Sequence, residues 1–397
     1  VQVNVHPSGG FAYKIPLNVG KNTFTLVSGD EKLIYDITKP APRNGGGGGA
    51  ALITKEYDTL KYAEVTTENT PIRTTPVDAG INRIAHMQKG MPLVLDGEKG
   101  GFYSIILGSN KTGWISKNSV KLVDSGASLA TMNGYDTLDT PEFKIYVFHL
   151  NKMTPFELVE GNPFTIKIFN VENQPENTYK LQIPLQKLYG YSGRFSGTDF
   201  VVKIRKTPPI DRTKPLKGIK ITIDAGHGGS ESGAIGCLGN LEKNTMLEFA
   251  KHLERELKHR GAIVFMTRED DSYVGLRDRV DFANDEDSVF LISLHGNALP
   301  DDLDPIANNG TEVYYYYNQA KPLADLVLSE ITTQTGMNNH KVRQASFALV
   351  RNTNALSILI EIGFLINPSD NAKLVDKEFQ KSTANAIADG LENFLKN

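Results

Sequence analysis

The feature that most constrains this 397-residue chain is a change of pattern near residue 217. Before it, short β-rich runs are separated by Gly, Pro, Asn and Asp, with almost no stretch of helical period. After it, apolar strands alternate with amphipathic helices. The contrast predicts a multi-domain chain of small all-β modules followed by one α/β three-layer domain with a mostly parallel sheet. Within that last domain the run 288–294 is almost continuously apolar, as expected of a strand buried on both faces.

The front half divides further. Residues 1–40 read as an incomplete, Ig-like β module with strands at 11–15, 22–27 and 32–38, since three short strands are few for a stable sheet. A Gly-rich linker over 41–56 follows, with five consecutive glycines at 45–49. The next unit spans 57–125. Its string Thr70-Pro71-Ile72-Arg73, Gly90-Met91-Pro92-Leu93, Gly101-Phe102-Tyr103 and Thr112-Gly113-Trp114-Ile115 resembles the bacterial SH3-like modules of wall-associated proteins. Trp114, the single tryptophan, is expected to anchor that module's core in preference to serving as a ligand platform. A β-sandwich-like segment over 140–207 comes next, and Pro208, Pro209 and Pro215 mark the boundary to the last domain, 217–397.

Composition excludes several functions. One cysteine, Cys237, rules out an intrachain disulfide framework and a cysteine-based zinc cage, so any metal must be held by His and carboxylates. No apolar run approaches the roughly 18 to 20 residues of a membrane helix. The chain starts at Val1 with no basic-then-apolar leader and so reads as processed or trimmed, which leaves export unstated by the sequence. The net charge of −3 combines a modestly basic front half with an acidic last domain. The basic half could favour anionic wall polymers, although a solvated surface accounts for it more simply. Nucleic-acid binding has no support, because no basic stretch interleaved with aromatics occurs.

The chemistry lies in the last domain. A strand at 219–224 ends in Ala225-Gly226-His227-Gly228-Gly229, where three glycines around one imidazole allow a sharp turn at the strand's carboxyl end. In an open α/β sheet that edge is where ligands bind. The run 288–294 ends in His295-Gly296-Asn297, and 356–360 leads into Glu361. Glu242 begins a helix whose apolar positions Met246, Leu247, Ala250, Leu253 and Leu257 recur at helical spacing. Two imidazoles and one carboxylate with a fourth position open form the donor set of a catalytic zinc site, and a second carboxylate is then free to act as general base. The pattern leaves open which of Glu242 and Glu361 ligates. His340, in Asn338-Asn339-His340, reads as a loop residue without partner spacing.

Residues 217–397 resemble the zinc-dependent N-acetylmuramoyl-L-alanine amidases of bacterial cell walls. The likeness rests on Asp224-Ala225-Gly226-His227-Gly228-Gly229, Glu242-Lys243, Thr267-Arg268, Arg279, Ser293-Leu294-His295-Gly296-Asn297, Gly310-Thr311-Glu312-Val313-Tyr314 and Glu361-Ile362-Gly363-Phe364, in that order. Glu231 and Asn244 stand where the family commonly has Asp. The resemblance implies Zn2+ held by His227, Glu242 and His295, with Glu361 as the catalytic carboxylate. It implies a peptidoglycan substrate, cut between N-acetylmuramic acid and L-alanine, and an extracellular, wall-associated setting. Apart from the resemblance, Arg279, Asn297 and Arg351 are candidate substrate contacts, with surface or core-edge salt bridges an equal alternative for the two arginines. Two alternatives stay open: a wall-binding protein with a silent catalytic domain, and a zinc hydrolase of another wall amide.

Overall fold

The computed structural model describes residues 1–40, 54–78, 80–125, 129–300 and 303–397. The glycine run of the expected linker lies outside the described residues.

The N-terminal module is a two-stranded antiparallel hairpin, Gly20–Ser28 with Glu31–Lys39. The strand expected at 11–15 is absent, because no described segment pairs with its backbone and Pro16 closes it. The following module is a seven-stranded antiparallel sheet running from Thr54–Val65 to Val120–Val123, so its first strand starts inside the expected linker. Trp114 departs from expectation: in Thr112–Ser116 its neighbours Gly113 and Ile115 are buried, while the indole stands partly exposed on the opposite face beside Arg73.

The third module opposes a four-stranded sheet (Met132–Asp139, Phe143–Leu150, Asp199–Arg205, Tyr191–Ser196) to a three-stranded one (Phe156–Val159, Phe164–Phe169, Thr178–Ile183). Alternating apolar residues of both sheets meet at Phe156 and Phe200, whose ring centroids lie 4.4 Å apart. Its edge strand begins at Met132, ahead of the expected start at 140; almost wholly exposed, it has no apolar alternation to announce it. The second and third modules share one apolar core.

The C-terminal domain, labelled on its own, contains β1 (Lys220–Ala225), α1 (Glu242–His259), β2 (Ile263–Met266), α2 (Leu276–Asp285), β3 (Phe290–Asn297), β4 (Thr311–Tyr315), α3 (Lys321–Thr335), β5 (Asn339–Gln344), β6 (Leu356–Phe364), α4 (Pro368–Leu374) and α5 (Lys377–Lys396). The sheet order is β2-β1-β3-β6-β4-β5. The first four strands are parallel; β4 and β5 are parallel to each other and run against β6. Helices α1, α3 and α5 bury a common apolar stripe against one face, including Phe249, Leu253, Val327, Ile331, Ile387 and Leu391. Each such side chain contributes roughly 1.5–3 kcal/mol of burial. Helix α2 covers the other face through Ala283 on Leu291, so β3 is enclosed on both sides. Tyr189 and Leu216, ahead of the expected boundary, are buried in the same core as α1 and β1 and fasten the third module to this domain.

Candidate metal centre

Because β1, β3 and β6 are parallel neighbours, their carboxyl ends lie side by side. His295 on β3 is the register partner of Glu361 on β6, and Glu361 is in turn opposite Glu312 on β4. His227 stands just past β1 with φ of 60°, a left-handed backbone that non-glycine residues seldom adopt. That turn brings its imidazole back over the sheet edge. The loop returns through Ala234, whose carbonyl accepts from the Glu242 backbone N–H at 2.9 Å and sets the start of α1.

His227, Glu242 and His295 each offer a ligand atom, all within 4.8 Å of one another. Glu242 Oε1 lies 3.1 Å from His227 Nε2 and 2.9 Å from His295 Nδ1, and accepts from the Gly296 N–H at 3.1 Å. Its Oε2 accepts from the Ala234 N–H at 2.8 Å. Burial alone would raise the Glu242 carboxyl, but hydrogen bonds to the two imidazoles outweigh it and hold the group well below the usual carboxylate range. His295 moves the other way: burial opposes its charge, yet the Glu242 hydrogen bond and the nearby carboxylates raise it. Such imidazoles, crowded on a shared carboxylate, are a donor set that a divalent cation would satisfy.

Two glycines permit the crowding. A Cβ on Gly226 would overlap the His295 ring, and one on Gly233 would meet Glu242 and His227. Gly226→Ala is therefore expected to displace His295 and cost most of the bound metal while the far-ultraviolet spectrum stays native; full metal stoichiometry by elemental analysis would count against this packing.

Glu361 sits beside the cluster with Oε2 buried and unpartnered. Burial, then the negative charges of Glu242 and Glu312, push its carboxyl up to about 7 against the opposing pull of His295. A carboxylate raised toward neutrality, opposite His295 in the sheet and with one buried oxygen unpartnered, has the properties of a general base.

Of the three candidate substrate contacts, Arg279 is not free to meet substrate and instead forms the core salt bridge that was its alternative. It is only 2% exposed and fully engaged within the protein. Its Nη1 donates to Asp224 Oδ1 at 2.6 Å and to the Ala225 carbonyl at 2.8 Å, and Nη2 donates to the His227 carbonyl at 2.8 Å. Arg268 acts alongside it, donating to the carbonyls of Ala225 and Gly226 at 2.9 and 2.8 Å. The two guanidiniums fix the turn that presents His227. Asn297 lies at the end of β3 and donates to Glu312 Oε2 at 2.9 Å. Arg351 lies in the turn ahead of β6, at the opposite end of that strand from Glu361, and its Nη1 donates to the Ser346 carbonyl.

Sequence reasoning missed Glu312. This buried carboxylate accepts from Tyr314 (2.6 Å), His340 Nδ1 (2.6 Å) and Arg343 Nε (2.7 Å) as well as Asn297. His340 is therefore a partnered strand residue of β5, not the isolated loop residue expected. The available signal was a lone charge in the apolar run after Gly310. Asp301 and Asp302 lie outside the described residues; past them, Asn367 Nδ2 holds the carbonyls of Pro305, Ile306 and Asn308 at 3.0–3.2 Å.

An α/β domain with two imidazoles and a carboxylate gathered at the carboxyl ends of parallel strands, and a second buried carboxylate beside them, has the build of a hydrolytic metal centre. Residues 221–393 match the family model described as N-acetylmuramoyl-L-alanine amidase. The probable cell wall amidase LytH of Staphylococcus epidermidis is 36% identical over 192 residues, which span 47% of this chain and 63% of that protein. The chain thus spans less than two thirds of the curated relatives it matches. Among solved structures, the N-acetylmuramoyl-L-alanine amidase AmiC2 of Nostoc punctiforme is 33% identical, covering 48% of this chain and 100% of that one with a TM-score of 0.43. The catalytic domain of CwlV, an N-acetylmuramoyl-L-alanine amidase from Bacillus (Paenibacillus) polymyxa var. colistinus, is 34% identical, covering 45% and 98% with a TM-score of 0.42.

Proposed function

We propose that the protein is a zinc-dependent N-acetylmuramoyl-L-alanine amidase that hydrolyses the amide between N-acetylmuramic acid and L-alanine in peptidoglycan. The observation that carries this reading is the His227–Glu242–His295 cluster with unpartnered Glu361 beside it, in a domain matching the amidase family model. His227, Glu242 and His295 would hold the ion. When bound, zinc supplies a Lewis acid that polarises the scissile carbonyl and acidifies water. Glu361 takes the proton of the attacking water as the C–O bond forms, then returns it to the alanine nitrogen as the C–N bond breaks. Arg268 and Arg279 keep the His227 turn in place throughout, and the Glu312 network holds Asn297 at the mouth of the site.

The proposed setting is the cell wall outside the membrane; no helix among the described residues is long and apolar enough to cross one. The module from Thr54 to Val123, read as SH3-like, and the β-sandwich would hold the enzyme on wall polymer. Chelation followed by dialysis is expected to silence the protein on purified peptidoglycan, and one equivalent of zinc per chain to restore it. His227→Ala is expected to bind less than a tenth of that zinc. Undiminished turnover in a protein shown to be metal-free would overturn the zinc assignment.

A further inference from the structure

Where the second and third β modules meet the C-terminal domain there is a cavity of about 500 Å³, and no residue of the metal cluster lines it. Arg83 and His86 reach it from the strand Arg83–Met87, and Arg351 from the turn before β6. Arg73, close by, has a carboxylate partner in Asp78. Arg83 and Arg351 form no ion pair among the described residues, and each is instead disfavoured by burial and by neighbouring guanidinium charge. His86 is pushed down to about 4, by burial first and then by Arg83, Arg351 and Arg73. The imidazole is thus neutral at neutral pH, with Nε2 accepting from Arg83 Nη1 at 3.1 Å.

The cavity wall also carries Asp281, ion-paired to Arg277, and one unpartnered acceptor, Asn284 Oδ1, but most of what the junction leaves unused are donors near Arg83 and Arg351. Arg83 Nε, Asn352 Nδ2 and the Tyr316 hydroxyl are all buried without a hydrogen-bond partner. Tyr316 lies within electrostatic range of both guanidiniums, and Asn352 lines the cavity. A buried orphan donor is costly, and the two on the cavity wall, Arg83 Nε and Asn352 Nδ2, stand beside two uncompensated cations, a combination that an acceptor-rich anion satisfies. A carboxylate brings one charge and two oxygens in a plane. A phosphate group brings more oxygens, set tetrahedrally, and up to two charges. From this cavity, its unpaired Arg83 and Arg351 and its orphaned donors, we infer that the three-domain junction binds a phosphate-type oxyanion, apart from the metal centre. Its source is free phosphate or, if the amidase reading above holds, the phosphodiester of a wall polymer. The binding itself does not depend on that reading.

The test is calorimetric titration of the full chain at constant ionic strength with inorganic phosphate, with acetate, and with poly(glycerol phosphate). Saturable phosphate binding, weakened at least about tenfold by Arg83→Gln, is expected, with acetate silent. Polymer binding tighter than phosphate assigns the phosphodiester as the source; phosphate alone assigns the free ion. Arg83→Gln removes an uncompensated cation, so in phosphate-free buffer it is expected to melt no lower than the parent protein. Should it misfold, Asn352→Asp, which replaces an unpartnered donor of the cavity wall with a carboxylate, is expected to lose phosphate binding as well. No saturable binding by the parent protein, acetate binding equal to phosphate, or unchanged affinity in a folded variant would overturn the site. None of these readouts involves amidase activity, so failure here and failure of the amidase reading are separable.

Discussion

Glu361→Gln is expected to lower turnover on peptidoglycan by about 10²–10⁴-fold while zinc remains at one per chain. The separation follows from position. Glu361 is the register partner of His295 but contributes no atom to the three-ligand cluster, so the substitution removes a proton carrier and leaves the donors. Gln is nearly isosteric and cannot accept and return a proton. Its neutrality also relieves the crowding with Glu242 and Glu312 that pushes Glu361 up, so the fold is not expected to suffer. Elemental analysis beside a peptidoglycan digestion rate checks both halves. Loss of zinc together with activity would make Glu361 a ligand; an unchanged rate would remove it from the chemistry.

The largest effect on stability is expected at Arg279. The pair it forms with Asp224 is fully buried, and Asp224 also accepts from Thr267 and Ser293, each at 2.7 Å. Arg279→Ala leaves that carboxylate without its countercharge beneath the metal centre, at a cost of about 3–5 kcal/mol. For a domain of this size that lowers the melting temperature by about 10 °C, read by calorimetry as the transition of the C-terminal domain because the chain is multi-domain. The pH dependence has a definite sign. Burial opposes the Asp224 charge, but Arg279 and the hydroxyls prevail and lower its folded value. The pair's contribution is therefore present in full above the ordinary carboxylate value and is lost as pH falls through the lowered one. Arg279→Ala should flatten the acid limb of stability against pH. A variant with unchanged melting and an unchanged acid limb would show that Asp224 does not depend on the guanidinium.

How legible the site was depended on whether a residue's role is local or set by long-range pairing. His227 could be read because glycines surround it at a strand's end, and Glu242 because it opens an apolar stripe of helical period. His295 and Glu361 each follow a run apolar enough to be an interior strand. Glu312 and His340 escaped because their pairing depends on β4 and β5 running against β6, a reversal that periodicity does not encode. For Arg279 the sequence leaves substrate clamp and core salt bridge both open, because a single Arg on a helix carries no sign of the buried Asp224 it will meet. The edge strand at Met132 and the outward face of Trp114 were illegible for a simpler reason: neither lies in an alternating pattern that distinguishes core from solvent. Arg83 and Arg351 come from separate modules, and only docking of those modules makes them neighbours.

The central claim is which bond is cut. It is tested most directly by digesting purified peptidoglycan with the zinc-loaded full chain and identifying the products by mass, while counting newly freed alanine amines and newly formed reducing sugar ends. The account predicts intact stem peptides with a free N-terminal L-alanine, glycan strands whose muramic acids carry unsubstituted lactyl carboxylates along their length, and no new reducing ends. Cleavage within the stem peptide or at an N-acetyl group, with the muramoyl–alanine bond intact, would contradict it.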